Sequence, residues 1–247
     1  MRLYGLIGYP LGHSFSKKYF TEKFEREGLL DCSYELYPLK SITELPQLIE
    51  DHHELKGLNV TVPYKKAVLQ YLDSVEQLPK GLSACNCIKI EDKKLIGYNT
   101  DYIGFEKSFA PLVQDHHKKA LLLGQGGAAE SVAFVLKKLN IEYSIVSRSL
   151  HGQAKLTYPE IDEKIIHEHL IIINTTPLGV FPDINTCPDI PYQFITKRHL
   201  LFDLVYNPAK TLFLQKGEQK GAIIKNGEEM LKIQAEENWL IWNPVSG

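Results

Sequence analysis

The stretch from Ala120 to Ser131, Ala-Leu-Leu-Leu-Gly-Gln-Gly-Gly-Ala-Ala-Glu-Ser, decides the fold of this chain. Its first four residues are all apolar, which is typical of a parallel strand buried on both faces. Gly124 permits a tight turn, Gly126 lets a pyrophosphate approach the backbone, and Ala129 allows the next helix to pack close to the strand. The alternative is a tight turn that binds no ligand. The pattern favours a dinucleotide site whose predicted contacts are Gly124, Gln125, Gly126, Gly127 and Ala128.

Around this stretch, short apolar runs alternate with helix-length amphipathic segments. Strands are predicted at 3–7, 33–36, 57–62, 95–97, 120–123, 143–146, 170–173, 200–204 and 222–224, and a loop or short strand at 84–88. Helices are predicted at 17–27, 42–52, 65–72, 102–110, 128–139, 210–220 and 228–242. This alternation indicates an α/β protein with mainly parallel sheets.

The 247 residues are enough for two domains. We expect an N-terminal three-layer αβα domain over residues 1–101, completed by a C-terminal helix within 226–247. A Rossmann-type dinucleotide-binding domain is expected over 102–225. The two halves should enclose a cleft, where ligands tend to bind.

Composition excludes several classes of function. With 28 Lys plus Arg against 30 Asp plus Glu, the net charge of −2 disfavours nucleic-acid binding. No apolar run approaches the roughly 18 residues that cross a bilayer, and no signal peptide is evident. Four cysteines in this length do not indicate a disulfide framework. We therefore expect a cytoplasmic protein that acts on a small molecule.

The predicted strand at 143–146 is followed by Ser147 and Arg148. An NAD site usually has an acidic residue here, which binds the ribose hydroxyls. An arginine can instead pair with a 2′-phosphate and stack on adenine. The sequence therefore favours NADP(H) as cofactor, although Arg148 as a solvated surface residue is the simpler alternative.

Polar residues cluster at four predicted junctions in the first half of the chain, at 12–16, 59–65, 84–88 and 99–101. Ser14, Ser16, Thr100 and Asp101 are all good helix N-caps, which is one explanation for them. Lys65 is harder to explain, since a lysine in the first turn of a helix opposes the helix dipole. We therefore interpret Lys65 and Asp101 as an acid/base pair.

From Leu6 to about Trp242 the chain resembles the shikimate dehydrogenases. The motifs that carry this resemblance are Ser14-Phe-Ser16, Asn59-Val-Thr61-Val-Pro-Tyr-Lys65, Asn86, Asn99-Thr-Asp101-Tyr-Ile-Gly104, Gly124-Gln-Gly126-Gly127-Ala128, Asn174-Thr-Thr-Pro-Leu-Gly179, Asp203-Leu-Val-Tyr206-Asn-Pro208 and Met230-Leu-Lys-Ile-Gln234-Ala. Their shared order and spacing make the resemblance specific.

The resemblance implies NADP-dependent, reversible reduction of 3-dehydroshikimate to shikimate, on the route to chorismate and the aromatic amino acids. It assigns Ser14 and Ser16 to the substrate carboxylate. It implies that Lys65 transfers the proton and that Asp101 orients it. The remaining implied substrate contacts are Thr61, Asn86, Tyr206 and Gln234, and the implied cofactor contacts include Ser147, Arg148, Leu204 and Gly227.

Several positions depart from the family pattern. Cys87 stands where the family usually has Thr, Ser147 where it usually has Asn, and Gly152 where a second basic residue often binds the phosphate. Three hypotheses therefore remain open. The chain is a shikimate dehydrogenase, a quinate/shikimate dehydrogenase with broader substrate or NAD use, or a non-catalytic ligand sensor. We expect no metal, a small-molecule substrate as partner, no nucleic-acid or membrane partner, and either a monomer or a homodimer.

Overall fold

A computed structural model describes residues 1–12 and 15–244, which divide into two compact units. One unit contains Met1–Ile103 and the chain from Lys232 onward, and the other contains Gly104–Leu231. Within the described residues, no helix is long and apolar enough to span a bilayer. The assignment of substrate to one domain and NADP to the other stays a prediction.

Strands and helices alternate along nearly the whole described chain. The strands are β1 (Arg2–Gly8), β2 (Cys32–Pro38), β3 (Leu55–Val60), β4 (Cys87–Glu91), β5 (Lys94–Tyr98), β6 (Lys119–Leu123), β7 (Glu142–Ser147), β8 (Leu156–Thr157), β9 (Ile171–Asn174), β10 (Leu200–Asp203) and β11 (Ile223–Lys225). The α-helices are α1 (Phe15–Glu27), α2 (Leu45–Asp51), α3 (Asp101–Phe109), α4 (Gly127–Lys138), α5 (Glu163–Glu168), α6 (Leu212–Glu218) and α7 (Glu228–Trp242).

The sheet of the first unit has the strand order β2-β1-β3-β4-β5. Strands β1, β2 and β3 are parallel, whereas β4 is antiparallel to both of its neighbours. The segment Ala84–Asn86 precedes β4 outside any strand. Parallel pairing therefore leaves the carboxyl ends of β1 and β3 at one edge, next to the segment that enters β4.

Apolar side chains cover both faces of this sheet. Along β1, Leu3 and Ile7 belong to one buried cluster, which contains residues of α2. Tyr4 and Leu6 point to the opposite face and belong to a second cluster with residues of α1 and α7, including Phe20. This alternation along one strand produces three layers, with helices on both sides of the sheet.

The helix predicted over 65–72 is wrong. Lys65 lies in a turn, and a short 3₁₀ helix follows at Ala67–Tyr71. The α-helical pattern is not formed because the carbonyl of Lys65 accepts the backbone N–H of Cys85, while the N–H of Leu69 donates to Lys66 with 3₁₀ spacing. The expected conflict between Lys65 and a helix dipole is therefore absent from this part of the described structure.

The sheet of the second unit has the order β11-β10-β9-β6-β7-β8, and every pair is parallel. In chain order, this is the arrangement of a Rossmann fold, in which the first strand lies between the second and the fourth. Strands β6 and β9 flank the position where the strand order reverses. Nucleotides bind at this switch point, outside the carboxyl ends of the strands.

Candidate active site and dinucleotide turn

A buried ion pair joins the two residues that the sequence predicts as catalytic. Lys65 Nζ lies 2.5 Å from Asp101 Oδ2, and the two side chains are 15% and 8% exposed. Asp101 is the first residue of α3, where the helix dipole stabilises a carboxylate. The carboxylate that holds Lys65 in place is therefore presented from the N-terminus of a helix.

Asn86 holds the other oxygen of the same carboxylate. Its Nδ2 donates to Asp101 Oδ1 at 2.9 Å and to Gln234 Oε1 at 3.0 Å. Its Oδ1 accepts the backbone N–H of Thr100 at 2.7 Å, which fixes the orientation of the amide. The structure thus brings together four of the predicted residues, Lys65, Asn86, Asp101 and Gln234.

Backbone hydrogen bonds hold these side chains at one edge of the sheet. The N–H of Val60, at the end of β3, donates to the carbonyl of Asn86, and the N–H of Asn86 donates to Tyr98 at the end of β5. The N–H of Cys85 donates to the carbonyl of Lys65 at 2.8 Å. The turn that carries the lysine is therefore fastened directly to the segment that carries the asparagine.

Two buried thiols flank Asn86 but do not supply a nucleophile. Burial raises the pKa of Cys85 to about 12 and that of Cys87 well above its usual value. Both are fully buried, and Cys85 Sγ faces the carbonyl of Cys87. At neutral pH both thiols therefore stay protonated. Because only a thiolate is an effective nucleophile, neither residue supplies one.

The remaining predicted substrate residues have different surroundings. Thr61 follows β3, and its methyl group packs where a side chain on Gly8 would have to lie. Ser16 lies in the first turn of α1, and its hydrogen bond with Tyr34 counteracts part of the rise that burial causes in the tyrosine pKa. Tyr206 follows β10 in the other unit. Ser14 lies outside the described residues.

Asn99 provides the cap that was expected of its neighbours at the start of α3. Its Oδ1 accepts the backbone N–H of Tyr102 at 3.2 Å. Asp101 instead directs its carboxylate to Lys65 and Asn86. Thr100 is fully buried and contacts Asn238, a residue that no sequence motif marks. The spacing of Gln234 and Asn238, one helical turn apart, is the signal that could have revealed it.

The glycine turn after β6 has the geometry that a dinucleotide site requires. Gly124 has φ +105°, and a Cβ at this position would press on Thr175 after β9. Within the described part of the chain, a Cβ on Gly126 would meet no atom within 4 Å, so these residues leave the space beside the start of α4 open. Gly126 is also the N-cap of α4 and, as a glycine, has no side chain that could cap the helix. The residues present therefore fit a pyrophosphate at this helix N-terminus.

Gln125 connects this turn to the end of β7. Its Nε2 lies 3.2 Å from Ser147 Oγ and 2.7 Å from Nε2 of His151. Gly152 has φ +61°, and a Cβ there would approach the Gln125 side chain. Arg148 is exposed directly after β7. The predicted residues Gln125, Ser147 and Arg148 thus lie around one loop.

Gly227 and Leu204 form a second close approach of backbone in the same unit. A Cβ on Gly227 would overlap the carbonyl of Leu204, so no larger residue fits there. The N–H of Gly227 donates to Val205 at 3.2 Å. The two predicted nicotinamide neighbours therefore adjoin each other, and their contact with the cofactor stays a prediction.

Among residues 1–12 and 15–244, no group of three His, Cys, Asp or Glu side chains is arranged to hold a metal ion. The fold and the two sites define the class of the protein. It is an α/β protein in which one unit has a Rossmann-type dinucleotide turn and the other a buried lysine–carboxylate pair. This combination is typical of dinucleotide-dependent oxidoreductases.

Comparisons with known proteins identify the particular family. The shikimate dehydrogenase substrate binding domain matches residues 6–88. The shikimate dehydrogenase (NADP(+)) of Clostridium beijerinckii is 37% identical over 256 residues, covering 97% of this chain and 92% of the relative. That of Carboxydothermus hydrogenoformans is 36% identical, covering 99% and 92%.

A solved structure agrees with these relatives. Shikimate 5-dehydrogenase from Thermus thermophilus, in complex with NADP(H) and shikimate, superposes with a TM-score of 0.85 and 26% sequence identity. The match covers 99% of this chain and 94% of that one. The chain belongs to the shikimate dehydrogenase family, as the sequence motifs predicted, and the predicted fold class is confirmed.

Proposed function

We propose that this chain catalyses the NADP-dependent, reversible reduction of 3-dehydroshikimate to shikimate. The observation that carries the proposal is the buried pair of Lys65 and Asp101, whose carboxylate also accepts a hydrogen bond from Asn86. Relatives in the same family are named for this activity. A ligand sensor needs affinity for its ligand but no proton-transfer pair. The pair therefore favours an enzyme.

In the direction of reduction, Lys65 donates a proton from Nζ to the oxygen of the substrate ketone. Negative charge develops on this oxygen as the carbonyl is reduced, and a nearby ammonium stabilises it. Asp101 holds Nζ through Oδ2 and keeps the lysine aimed at one position. In the reverse direction Lys65 accepts the proton of the substrate hydroxyl.

The other polar residues would bind and orient the substrate. We assign Asn86, Gln234, Thr61 and Tyr206 to the hydroxyl groups, and Ser14 with Ser16 to the carboxylate. Asn86 already donates to the carboxylate of Asp101 at 2.9 Å and to the side-chain oxygen of Gln234 at 3.0 Å. This preorganisation supports the assignment, since it lowers the entropy that substrate binding must overcome.

The cofactor would be held by residues of the second unit. We assign its pyrophosphate to the turn from Gly124 to Ala128, its 2′-phosphate to Ser147 and Arg148, and its nicotinamide to the backbone near Leu204 and Gly227. When bound, NADPH supplies the hydride. The open space beside Gly126 and the exposed guanidinium of Arg148 support this assignment.

The direct test is the reduction of NADP⁺ at 340 nm by purified protein with shikimate, repeated with quinate and with NAD⁺. We expect turnover with shikimate and NADP⁺ and much slower turnover in the other combinations. A preference for quinate or NAD⁺ would identify the broader dehydrogenase. No turnover in any combination, combined with binding of shikimate, would identify a sensor and overturn the proposal.

Two related expectations accompany this proposal. The chain would act in the cytoplasm, where its free cysteines stay reduced. It would act as a monomer or a homodimer, and a small anionic molecule would be its partner. Cell fractionation and sedimentation of the purified protein test these two expectations.

A further inference from the structure

Asn238 and Thr100 form a buried polar contact behind the proposed active site. Both residues are fully inaccessible to solvent, and Thr100 Oγ1 lies 2.6 Å from Asn238 Oδ1. Asn238 is on α7, one turn after Gln234, and Thr100 directly precedes Asp101. Neither residue has a role in the proton transfer described above.

The single hydroxyl proton of Thr100 has two acceptors in reach. Asn238 Oδ1 lies at 2.6 Å, whereas Asn86 Oδ1 lies at 3.3 Å. The Asn86 oxygen also accepts the backbone N–H of Thr100 at 2.7 Å. The hydroxyl therefore donates to Asn238, because that distance is shorter and because the Asn86 oxygen already accepts a backbone N–H. Thr100 Oγ1 is then an acceptor for Asn86 Nδ2, which lies at 2.9 Å.

Asn86 Nδ2 has two hydrogens but faces three acceptors. These are Thr100 Oγ1, Asp101 Oδ1 and Gln234 Oε1, at 2.9, 2.9 and 3.0 Å. When Thr100 accepts one hydrogen, Asp101 and Gln234 share the other. The direction of the Thr100 hydroxyl therefore determines how Asn86 divides its hydrogens between the carboxylate and the glutamine.

We propose that Asn238 and Thr100 are positioning residues that act through Asn86. By fixing the hydroxyl of Thr100, Asn238 sets the orientation and charge environment of the Asp101 carboxylate, which in turn holds Lys65. The inference rests on the proposed function for its kinetic consequences, whereas the hydrogen-bond relay itself can be measured without turnover.

The cost of burying Asn238 supports this role. Its Nδ2 is buried and has no hydrogen-bond partner among residues 1–12 and 15–244. A buried amide with one unpaired end destabilises a fold, so an apolar residue would pack there at lower cost. The hydrogen bond that Asn238 Oδ1 accepts from the hydroxyl of Thr100 is the interaction that offsets this destabilisation.

The test compares Thr100→Val, Thr100→Ser and Asn238→Ala with a matched control, Ser108→Ala. Ser108 lies on the same helix as Asp101, is equally buried, and donates only to carbonyls of its own helix. The measurements are kcat and KM for shikimate, KM for NADP⁺ and the thermal midpoint. A ¹⁵N spectrum of the apo protein follows the side-chain amide of Asn86.

We expect Thr100→Val and Asn238→Ala to lower kcat/KM for shikimate roughly 3- to 10-fold, the effect of one lost hydrogen bond. KM for NADP⁺ should change less than about twofold, and Thr100→Ser should restore activity because it keeps the hydroxyl. Equal losses in Ser108→Ala, no rescue by serine, or parallel changes in KM for NADP⁺ would overturn the proposal.

The NMR measurement separates this inference from the proposed function. In Asn238→Ala the Asn86 side-chain amide signals should shift, and in Ser108→Ala they should not. If the wild-type protein has no activity, the proposed function fails while this measurement still decides on the relay. An unchanged Asn86 signal in Asn238→Ala would overturn the relay even in an active enzyme, and this variant serves if Thr100→Val does not fold.

Discussion

Arg148 is the single residue on which the proposed choice between NADP and NAD depends most. It is exposed directly after β7, where a guanidinium can pair with a 2′-phosphate in a bidentate manner. We predict that Arg148→Gln raises KM for NADP⁺ about 10- to 100-fold, because charged hydrogen bonds of this kind contribute roughly 1.5–3 kcal/mol. Steady-state kinetics at fixed shikimate concentration measures this.

The matched control for this change is Arg198→Gln, since Arg198 is exposed in the same unit. Its KM for NADP⁺ should equal that of the wild type. KM for NAD⁺ should be nearly the same in all three proteins, because NAD⁺ lacks the 2′-phosphate. If Arg148→Gln weakened NAD⁺ and NADP⁺ equally, Arg148 would bind adenine or support the loop instead.

At the residue scale, the sequence predicted the identities of the central pair but not the reason for their position. Lys65 was expected in the first turn of a helix, whereas it lies in a turn fastened by the N–H of Cys85. No sequence motif marks Asn238, and its proposed role depends on a contact with Thr100, which is 138 positions away in the chain. Such contacts exist only after the fold has formed.

At the scale of elements, α7 is anchored to the first sheet through a glycine. The indole of Trp242 donates to the carbonyl of Ile88 at 2.9 Å and covers Gly57 of β3. A Cβ on Gly57 would overlap the indole ring, so Gly57→Ala must displace α7 or bend the strand. We predict a loss of about 1–3 kcal/mol in the free energy of unfolding, measured by urea denaturation.

Gly12→Ala is the control for this substitution, because a Cβ at Gly12 would meet no atom of residues 1–12 and 15–244 within 4 Å. It should leave stability within about 0.5 kcal/mol of the wild type. Since α7 also carries Gln234, Gly57→Ala should raise KM for shikimate as well. Wild-type stability in Gly57→Ala would mean that α7 can shift freely, which contradicts the anchoring described here.

The buried strands of the second unit followed their sequence pattern closely, whereas α5 and the short strand β8 were not predicted. Runs such as Leu121–Leu123 and Ile171–Ile173 are buried on both faces and form β6 and β9. In the first unit, the antiparallel strand β4 runs from buried to exposed residues over five positions, which is too short for a distinctive periodicity. A tertiary hydrogen bond from the N–H of Cys85 to the carbonyl of Lys65 also overrides the helical pattern after Lys65.

At the scale of the whole molecule, stability should depend on pH through three buried histidines of the second unit. Burial lowers the pKa of His117, His169 and His199 below 6.5. Nδ1 of His117 and of His199 accepts a backbone N–H, while Nε2 faces a backbone carbonyl. In each of these two rings only Nε2 can carry a proton, because a proton on Nδ1 would break the hydrogen bond that this nitrogen accepts.

These shifts set the sign of the pH effect. Below pH 6.5 the unfolded chain binds protons that the folded chain does not, so the free energy of unfolding falls as pH falls. Each group contributes up to about 1.4 kcal/mol per pH unit. Asp203 acts in the opposite direction, since burial raises its pKa to about 6 and the folded chain binds that proton first. The three histidines should outweigh this one carboxyl group.

We predict that the urea midpoint falls between pH 7.5 and pH 5.5, and that His117→Asn makes this dependence shallower. The asparagine keeps an acceptor near the backbone N–H but does not titrate. His53→Asn, which changes an exposed histidine, should leave the slope unchanged. A stability that stays constant or rises over this interval would contradict the account of the buried histidines.

The central claim is that Lys65 transfers the proton, and the most direct measurement is kcat of Lys65→Ala for shikimate oxidation with NADP⁺. Removing a general acid/base should lower kcat on the order of 10²–10⁴-fold while KM for shikimate changes far less. Lys66→Ala, which removes the adjacent exposed lysine, should keep wild-type turnover. A kcat of Lys65→Ala equal to that of the wild type would contradict the claim.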